Sequence, residues 1–114
     1  MSAPTARRRN SPHELRPDQQ ARLRQELEQE LRRLVPEARR VLDPRARAEL
    51  AHGLGPRPRS HALQILEALH RMETGTYGRC AGCHGAISYV RLSAIPEARD
   101  CAECSWSREL SFGR

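Results

Sequence analysis

Leucines recur at helical spacing along the first third of the chain. From Arg16 onward, apolar side chains follow one another at intervals of three or four residues, with glutamine, glutamate and arginine between them. This spacing is typical of the seam of an antiparallel helix pair or a coiled coil. Pro36 falls inside the run and predicts a kink or a restart, because proline has no N–H to donate to the preceding turn. The apolar positions of this predicted kinked helix over residues 16–42 are Leu23, Leu27, Leu31, Leu34, Ala38 and Val41.

A second helical stretch follows the turn at Asp43-Pro44. A Gly/Pro-rich break at residues 53–58 divides this stretch and should bend or weaken it. The arms 16–42 and 44–74 are similar in length, so we expect them to pack antiparallel with a tip near residues 43–48. The apolar stripe of the longer part of the second arm consists of Ala62, Ile65, Leu69 and Met72.

The chain has 114 residues, of which only four are Phe, Trp or Tyr. A chain this short and this poor in large apolar side chains cannot build a sizeable core, which weighs against a pocket-bearing enzyme. It favours packed helices or a metal that replaces part of a core. No run of hydrophobic residues exceeds two, so we expect no membrane span. No apolar stretch follows Arg7–Arg9, so we expect no secretory signal and therefore a cytoplasmic protein. The composition of residues 1–15 predicts a disordered tail.

Positive charge is concentrated in the first half of the chain. All 20 basic residues are arginine, against 14 acids. Residues 1–60 hold 14 arginines and 8 acids, whereas residues 61–114 hold 6 of each. A basic half can attract nucleic acid or an acidic protein surface, but interleaved acids also fit a solvated helix face.

Two cysteine pairs carry the clearest chemistry. Cys80 and Cys83 are separated by two residues, as are Cys101 and Cys104, and 17 residues lie between the pairs. This spacing predicts a tetrahedral four-thiolate zinc site, which is structural because no coordination position stays open. The string Cys80-Ala81-Gly82-Cys83-His84 also fits a c-type haem attachment motif, but that would leave the second pair unexplained. His84 could instead replace one cysteine as a ligand, although four thiolates suffice.

The finger region resembles the DksA/TraR family of zinc-finger transcription regulators. The matching positions are Gly75, Tyr77, Gly78, Cys80, Cys83, Ile87, Arg91, Leu92, Ala94, Pro96, Ala98, Cys101 and Cys104. The resemblance implies a non-enzymatic protein that binds RNA polymerase and inserts a helical tip through the secondary channel, often together with a nucleotide alarmone. It also implies a short C-terminal helix, on which we expect Trp106 and Phe112 to cover the finger or the helix base.

The tip departs from the family pattern. Family tips carry D-x-x-D-x-A, and this chain has Asp43 and Ala48 but Ala46 in place of the second Asp. Asp43, Ala46 and Ala48 are therefore the candidate tip residues. Arg45 and Arg47 beside them would turn an acidic tip basic, and Asp-Pro is also a common turn.

These observations predict a mainly α chain. A kinked, coiled-coil-like antiparallel helix pair at 16–74 precedes a C4 zinc finger with a short C-terminal helix at 75–114. The expected function is transcription regulation by direct polymerase contact. The alternatives are a zinc-finger nucleic-acid binder that uses the basic N-terminal half, and a C-x-x-C oxidoreductase, which would need a thioredoxin-like strand and helix pattern that this sequence lacks.

Overall fold

Five α-helices and one 3-10 turn make up most of the protein. The structure, a computed structural model, describes residues 14–112, and its side chains through Leu110. Most of the tail expected to be disordered, residues 1–13, lies outside this part. The elements are α1 (Pro17–Leu34), the 3-10 turn (Pro36–Arg39), α2 (Pro44–His52), α3 (Pro56–Thr74), α4 (Tyr89–Ala94) and α5 (Ala102–Phe112). The mainly helical fold is confirmed, and within 14–112 the only β-type pairing is an isolated bridge between Arg79 and Ala86.

Proline marks the start of each of the first three α-helices. Pro17, Pro44 and Pro56 occupy the first helical position, where the missing N–H has no partner to lose and the fixed φ suits a helix. Asp43 caps α2, because its Oδ2 accepts a hydrogen bond of 3.0 Å from the backbone N–H of Ala46. Within residues 14–112 no helix is both long enough and apolar enough to cross a membrane.

Helices α1 and α3 pack antiparallel, as their contacts at both ends show. At one end Leu15, just before α1, lies against Gly78, just after α3. At the other, Glu30 Oε2 of α1 is 3.7 Å from His61 Nδ1 in the second turn of α3. The seam between them is formed by side chains that are almost fully buried: Leu23, Leu27, Leu31, Ala62 and Ile65. Burying each leucine contributes about 1.5–3 kcal/mol, so this seam is the main source of stability of the helix pair.

Both arms are shorter than their apolar patterns predicted. Helix α1 ends at Leu34 because Pro36 cannot donate the next helical hydrogen bond, and the chain continues as a 3-10 turn. The second arm is interrupted at Gly53–Gly55, and α3 restarts at Pro56. The kink expected at Pro36 is thus a helix end, and the bend expected after His52 is a three-residue break between two helices.

Helix α2 folds back along α3. Pro44 and Ala48 line a cavity of about 870 Å³ together with Leu63 of α3 and with Arg79 and His84 of the cysteine region. The start of α2 therefore lies beside the finger-side half of α3. The far end of the α1–α3 pair is formed instead by the 3-10 turn and by the turn before Pro56.

A buried arginine holds α2 in this position. The Arg47 side chain is 10% exposed and makes an ion pair with Glu28 of α1 at 3.3 Å. Its Nε donates to the carbonyl oxygen of Val41 at 2.6 Å, and its Nη2 donates to that of Ala38 at 3.0 Å. Arg47 is therefore withdrawn from the surface, which corrects the expectation that it adds positive charge there.

Replacing Arg47 by Ala should lower the free energy of unfolding by about 3–5 kcal/mol, because it leaves the partly buried Glu28 carboxylate without its cation. Two backbone carbonyls would also lose their donor. Urea denaturation followed by circular dichroism measures this loss. The matched control is Arg45→Ala on the same helix turn, since Arg45 is exposed; it should change stability by less than about 0.5 kcal/mol. Equal losses in the two variants would contradict the anchoring role.

Candidate metal centre

The four cysteine sulfurs converge on one point. Cys80 and Cys83 lie in the turns after α3, whereas Cys101 precedes α5 and Cys104 lies in its first turn. All four sulfur atoms are within 4.8 Å of one another, and Cys83 Sγ is 3.9 Å from Cys101 Sγ. A tetrahedral zinc with bonds of about 2.3 Å requires sulfur separations of about 3.8 Å. The four residues therefore fit one structural Zn²⁺, as the cysteine spacing predicted.

Backbone N–H groups point at the sulfurs. The Cys80 sulfur accepts from the N–H of Gly82 at 3.3 Å and from that of Cys83 at 3.5 Å, and the Cys101 sulfur accepts from the N–H of Cys104 at 3.4 Å. These donors favour the thiolate form that a metal requires. A Cβ at Gly82 would lie 3.1 Å from the Cys104 sulfur, so this glycine permits the close approach of the two turns.

Hydrogen bonds among the sulfurs and from the backbone shift the pKa of Cys80 and of Cys104 in opposite directions. Burial opposes ionisation of Cys80, but backbone hydrogen bonds, including those from Gly82 and Cys83, outweigh it and lower the pKa of Cys80 to about 6. Hydrogen bonding with the other sulfurs, Cys80 foremost, raises the pKa of Cys104 to about 12. The Cys80 thiolate therefore forms readily, and its proximity disfavours ionisation of Cys104. A divalent cation is needed for all four to be ionised near neutral pH.

Side-chain hydrogen bonds tie the loop before the second cysteine pair to the end of α3 and to the residues that follow it. Tyr77 donates its hydroxyl to the carbonyl oxygen of Pro96 at 2.7 Å, and burial raises the pKa of Tyr77, which keeps the proton in place. Arg71 donates to the carbonyl oxygen of Ala98 at 3.2 Å. These bonds connect the end of α3 to the segment that leads into the second cysteine pair.

Asp100 is a structural residue of the site that sequence reasoning missed. Its side chain is 8% exposed and makes an ion pair with Arg108 of α5, and its carboxylate lies 3.9 Å from the Cys80 sulfur. Arg91 Nε donates to the Asp100 carbonyl oxygen at 2.8 Å. In the sequence, the one signal for a structural role of Asp100 was its position directly before Cys101, because residues beside metal ligands commonly orient those ligands.

Other expectations about this region have mixed outcomes. His84 is exposed, and the potential metal-binding group in residues 14–112 consists of the four sulfurs without its imidazole. His84 has a φ of +65°, so it serves the turn as a residue in the left-handed region. Trp106 does not cover the finger, since it is 63% exposed on α5, and the side chain of Phe112 lies outside the described part.

The candidate tip residues are not at the metal centre. Asp43 is exposed and its carboxylate caps α2, while Ala46 and Ala48 are half-buried on the same helix. Of the three, Ala48 lines the cavity that reaches Cys80.

Comparison with known proteins supports the finger. The family model of the prokaryotic dksA/traR C4-type zinc finger matches residues 75–105, which confirms the resemblance for this segment. A protein of Aquifex aeolicus (strain VF5), named "Uncharacterized protein", is 46% identical over 50 residues. That match covers 44% of this chain and 34% of the Aquifex protein, so the chain spans about a third of that relative's length. No solved structure matches the chain.

Replacing Cys83 by Ser should abolish tight zinc binding and unfold the finger, because three thiolates cannot close the tetrahedron. Metal content after dialysis and resistance to protease measure the two effects. The neighbouring variant His84→Gly is the control: it relieves the positive φ and should keep one zinc per chain. Zinc loss in His84→Gly, or retention in Cys83→Ser, would contradict the four-cysteine site.

Replacing Tyr77 by Phe should destabilise the protein by about 1 kcal/mol, because the Pro96 carbonyl oxygen loses its buried hydroxyl donor. Zinc stoichiometry should stay at one. Thermal unfolding of the zinc-loaded protein measures the difference. Tyr89→Phe, at a half-buried tyrosine, should be close to neutral. An equal effect at both positions would show that the Tyr77 hydroxyl does not hold the finger.

Proposed function

We propose that this protein regulates transcription by binding RNA polymerase directly, through the secondary channel. The observation that carries the proposal is the match of residues 75–105 to the dksA/traR C4-type finger, on four sulfurs that fit one zinc. The regulators that the finger resembles act through a helical pair joined to such a finger. This chain has an antiparallel pair in the same order along the sequence.

The attachment of the finger supports this role. Leu15 packs on Gly78, Glu14 makes an ion pair with Arg79 at 3.1 Å, and Arg71 of α3 donates to the carbonyl oxygen of Ala98. The helices and the finger therefore contact each other at several points. A protein that docks through one of these parts and projects the other needs such a connection. Helix α3, with 19 residues, extends for about 28 Å.

The metal chemistry supports binding and not catalysis. Four thiolates fill the coordination of zinc and leave no position for water or substrate. The zinc would supply folding energy, and the effect on transcription would come from contact with the polymerase in a reducing, cytoplasmic compartment, where thiols stay available for metal.

Asp43 is our candidate for the residue that acts on the polymerase. It is the one carboxylate that remains of the family's tip pattern, since the second position is Ala46. Its side chain is exposed at the start of α2, where it also caps the helix. Because the start of α2 lies beside the finger-side half of α3, this carboxylate would contact the polymerase close to the finger.

The test of polymerase binding is a competition experiment. Labelled protein is bound to purified bacterial RNA polymerase at near-physiological salt, and an established secondary-channel factor is added as competitor. We expect binding that the competitor displaces. Absence of binding, or binding that the competitor leaves unchanged, would overturn the channel proposal.

Replacing Asp43 by Ser should leave polymerase binding intact and remove the effect on transcription in vitro. Serine preserves the helix cap and deletes the carboxylate, so the fold is kept. Glu49→Gln is the matched control, because Glu49 is an exposed carboxylate on the same helix. If the two variants are equally active, the Asp43 carboxylate has no regulatory role.

A further inference from the structure

The end of the helix pair at which α1 stops and α3 begins is rich in arginine. We call this region the arginine end and define it by five guanidinium groups. Arg32 lies in the last turn of α1, Arg39 and Arg40 lie at the end of the 3-10 turn, and Arg57 and Arg59 lie in the first turn of α3. Four of them are exposed and Arg59 is half-buried.

Antiparallel packing brings these two segments together. The contact between Glu30 and His61 sets the end of α1 beside the start of α3. The hydrogen bond from Arg47 to the Ala38 carbonyl oxygen ties the 3-10 turn to the same bundle. Arg32 at the end of α1 and Arg57 and Arg59 at the start of α3 therefore lie at the same end of the pair, and the 3-10 turn with Arg39 and Arg40 begins two residues after α1.

Arginine exceeds carboxylate at this end, although Glu30 and Glu97 of the finger both contact His61 here. Residues 31–42 and 50–62 together contain six arginines and one carboxylate, Glu37. The sixth arginine, Arg33, is paired with Glu30. Within residues 14–112, no ion pair involves any of the five guanidiniums of the arginine end. Elsewhere in the same part, carboxylate partners are present for Arg16, Arg22, Arg79, Arg99 and Arg108, whereas Arg24, Arg45, Arg71 and Arg91 have none.

The dipole of α3 adds to the positive electrostatic potential of these arginines. The first turn of α3 carries no acidic residue and has no side-chain cap, so the positive end of the helix dipole is not offset by a carboxylate. Clustered like charges repel one another, and an external polyanion would relieve that repulsion. Guanidinium groups match phosphate oxygens with two parallel hydrogen bonds.

We infer that the arginine end binds the phosphate backbone of duplex DNA. Residues 31–62 contain no Phe, Trp or Tyr on which an unpaired base could stack, which disfavours single strands. The aromatic residues Tyr77 and Tyr89 belong to the finger region, and Trp106 belongs to α5. Contacts to phosphates alone carry no sequence information, so binding is independent of base sequence.

The test measures binding of the full-length, zinc-loaded protein to a fluorescent duplex of about 20 base pairs by anisotropy across a salt series, in the absence of polymerase. The variant Arg39→Gln/Arg40→Gln/Arg57→Gln removes three charges from the arginine end. The control Arg16→Gln/Arg22→Gln/Arg99→Gln removes three exposed charges that have carboxylate partners elsewhere. Both variants have the same net charge, and circular dichroism checks that both are folded.

We expect the arginine-end variant to bind at least about tenfold more weakly at 0.1 M salt, and its salt slope should be smaller by about 0.9 for each phosphate that it no longer neutralises. The control should stay within about threefold of the wild type. Equal losses in the two variants would show that only net charge matters and would overturn the inference. So would the absence of duplex binding by the wild type, or a preference for poly-glutamate, which would indicate an acidic protein partner. Because polymerase is absent, these outcomes are independent of the channel proposal.

Discussion

Four thiolates within 4.8 Å of one another repel unless a cation lies among them, and the finger is organised around that requirement. The region between α3 and α5 has no strand ladder and few buried apolar side chains, chiefly Tyr77, Ile87 and Leu92. Zinc binding to such a site contributes on the order of 10–16 kcal/mol of apparent free energy, more than these side chains can supply. The metal also holds the loop before Cys101 in place, and the carbonyls of that loop accept the hydrogen bonds of Tyr77 and Arg71. The orientation of the finger on α3 therefore depends on the same cation.

The finger was predictable because its determinants are local. Two residues between paired cysteines bring both sulfurs to one ion from a single turn, so the ligand set follows from spacing alone. The helix pair was predictable in type for a similar reason, since leucines at intervals of three and four residues define a buried face. The ends of the helices were also marked, by Pro36 on one arm and by the glycines before Pro56 on the other.

What local patterns could not supply was the direction of the chain after each break. Pro36 and Gly53 indicate where a helix stops, but nothing near them indicates that α2 returns along α3. That path depends on Arg47, whose partner Glu28 lies 19 positions earlier and whose other partners are backbone carbonyls. In the sequence Arg47 is one arginine among many. Asp100 and Trp106 posed the same difficulty: burial of an acid and exposure of an indole are decided by tertiary contacts, and the sequence pattern favours the reverse of each.

The excess positive charge in the first half of the sequence is unevenly distributed over the folded molecule. The excess of arginine in residues 1–60 could have been spread along two long arms. Because α1 stops at Leu34 and α3 begins at Pro56, part of that excess lies at the end of the pair that these two residues mark, while Arg47 is neutralised inside. The finger half has equal numbers of arginines and acids in its sequence, and four thiolates around one Zn²⁺ would make it net negative. The arginine end is cationic and has no aromatic residue, so its interactions are electrostatic and sensitive to salt.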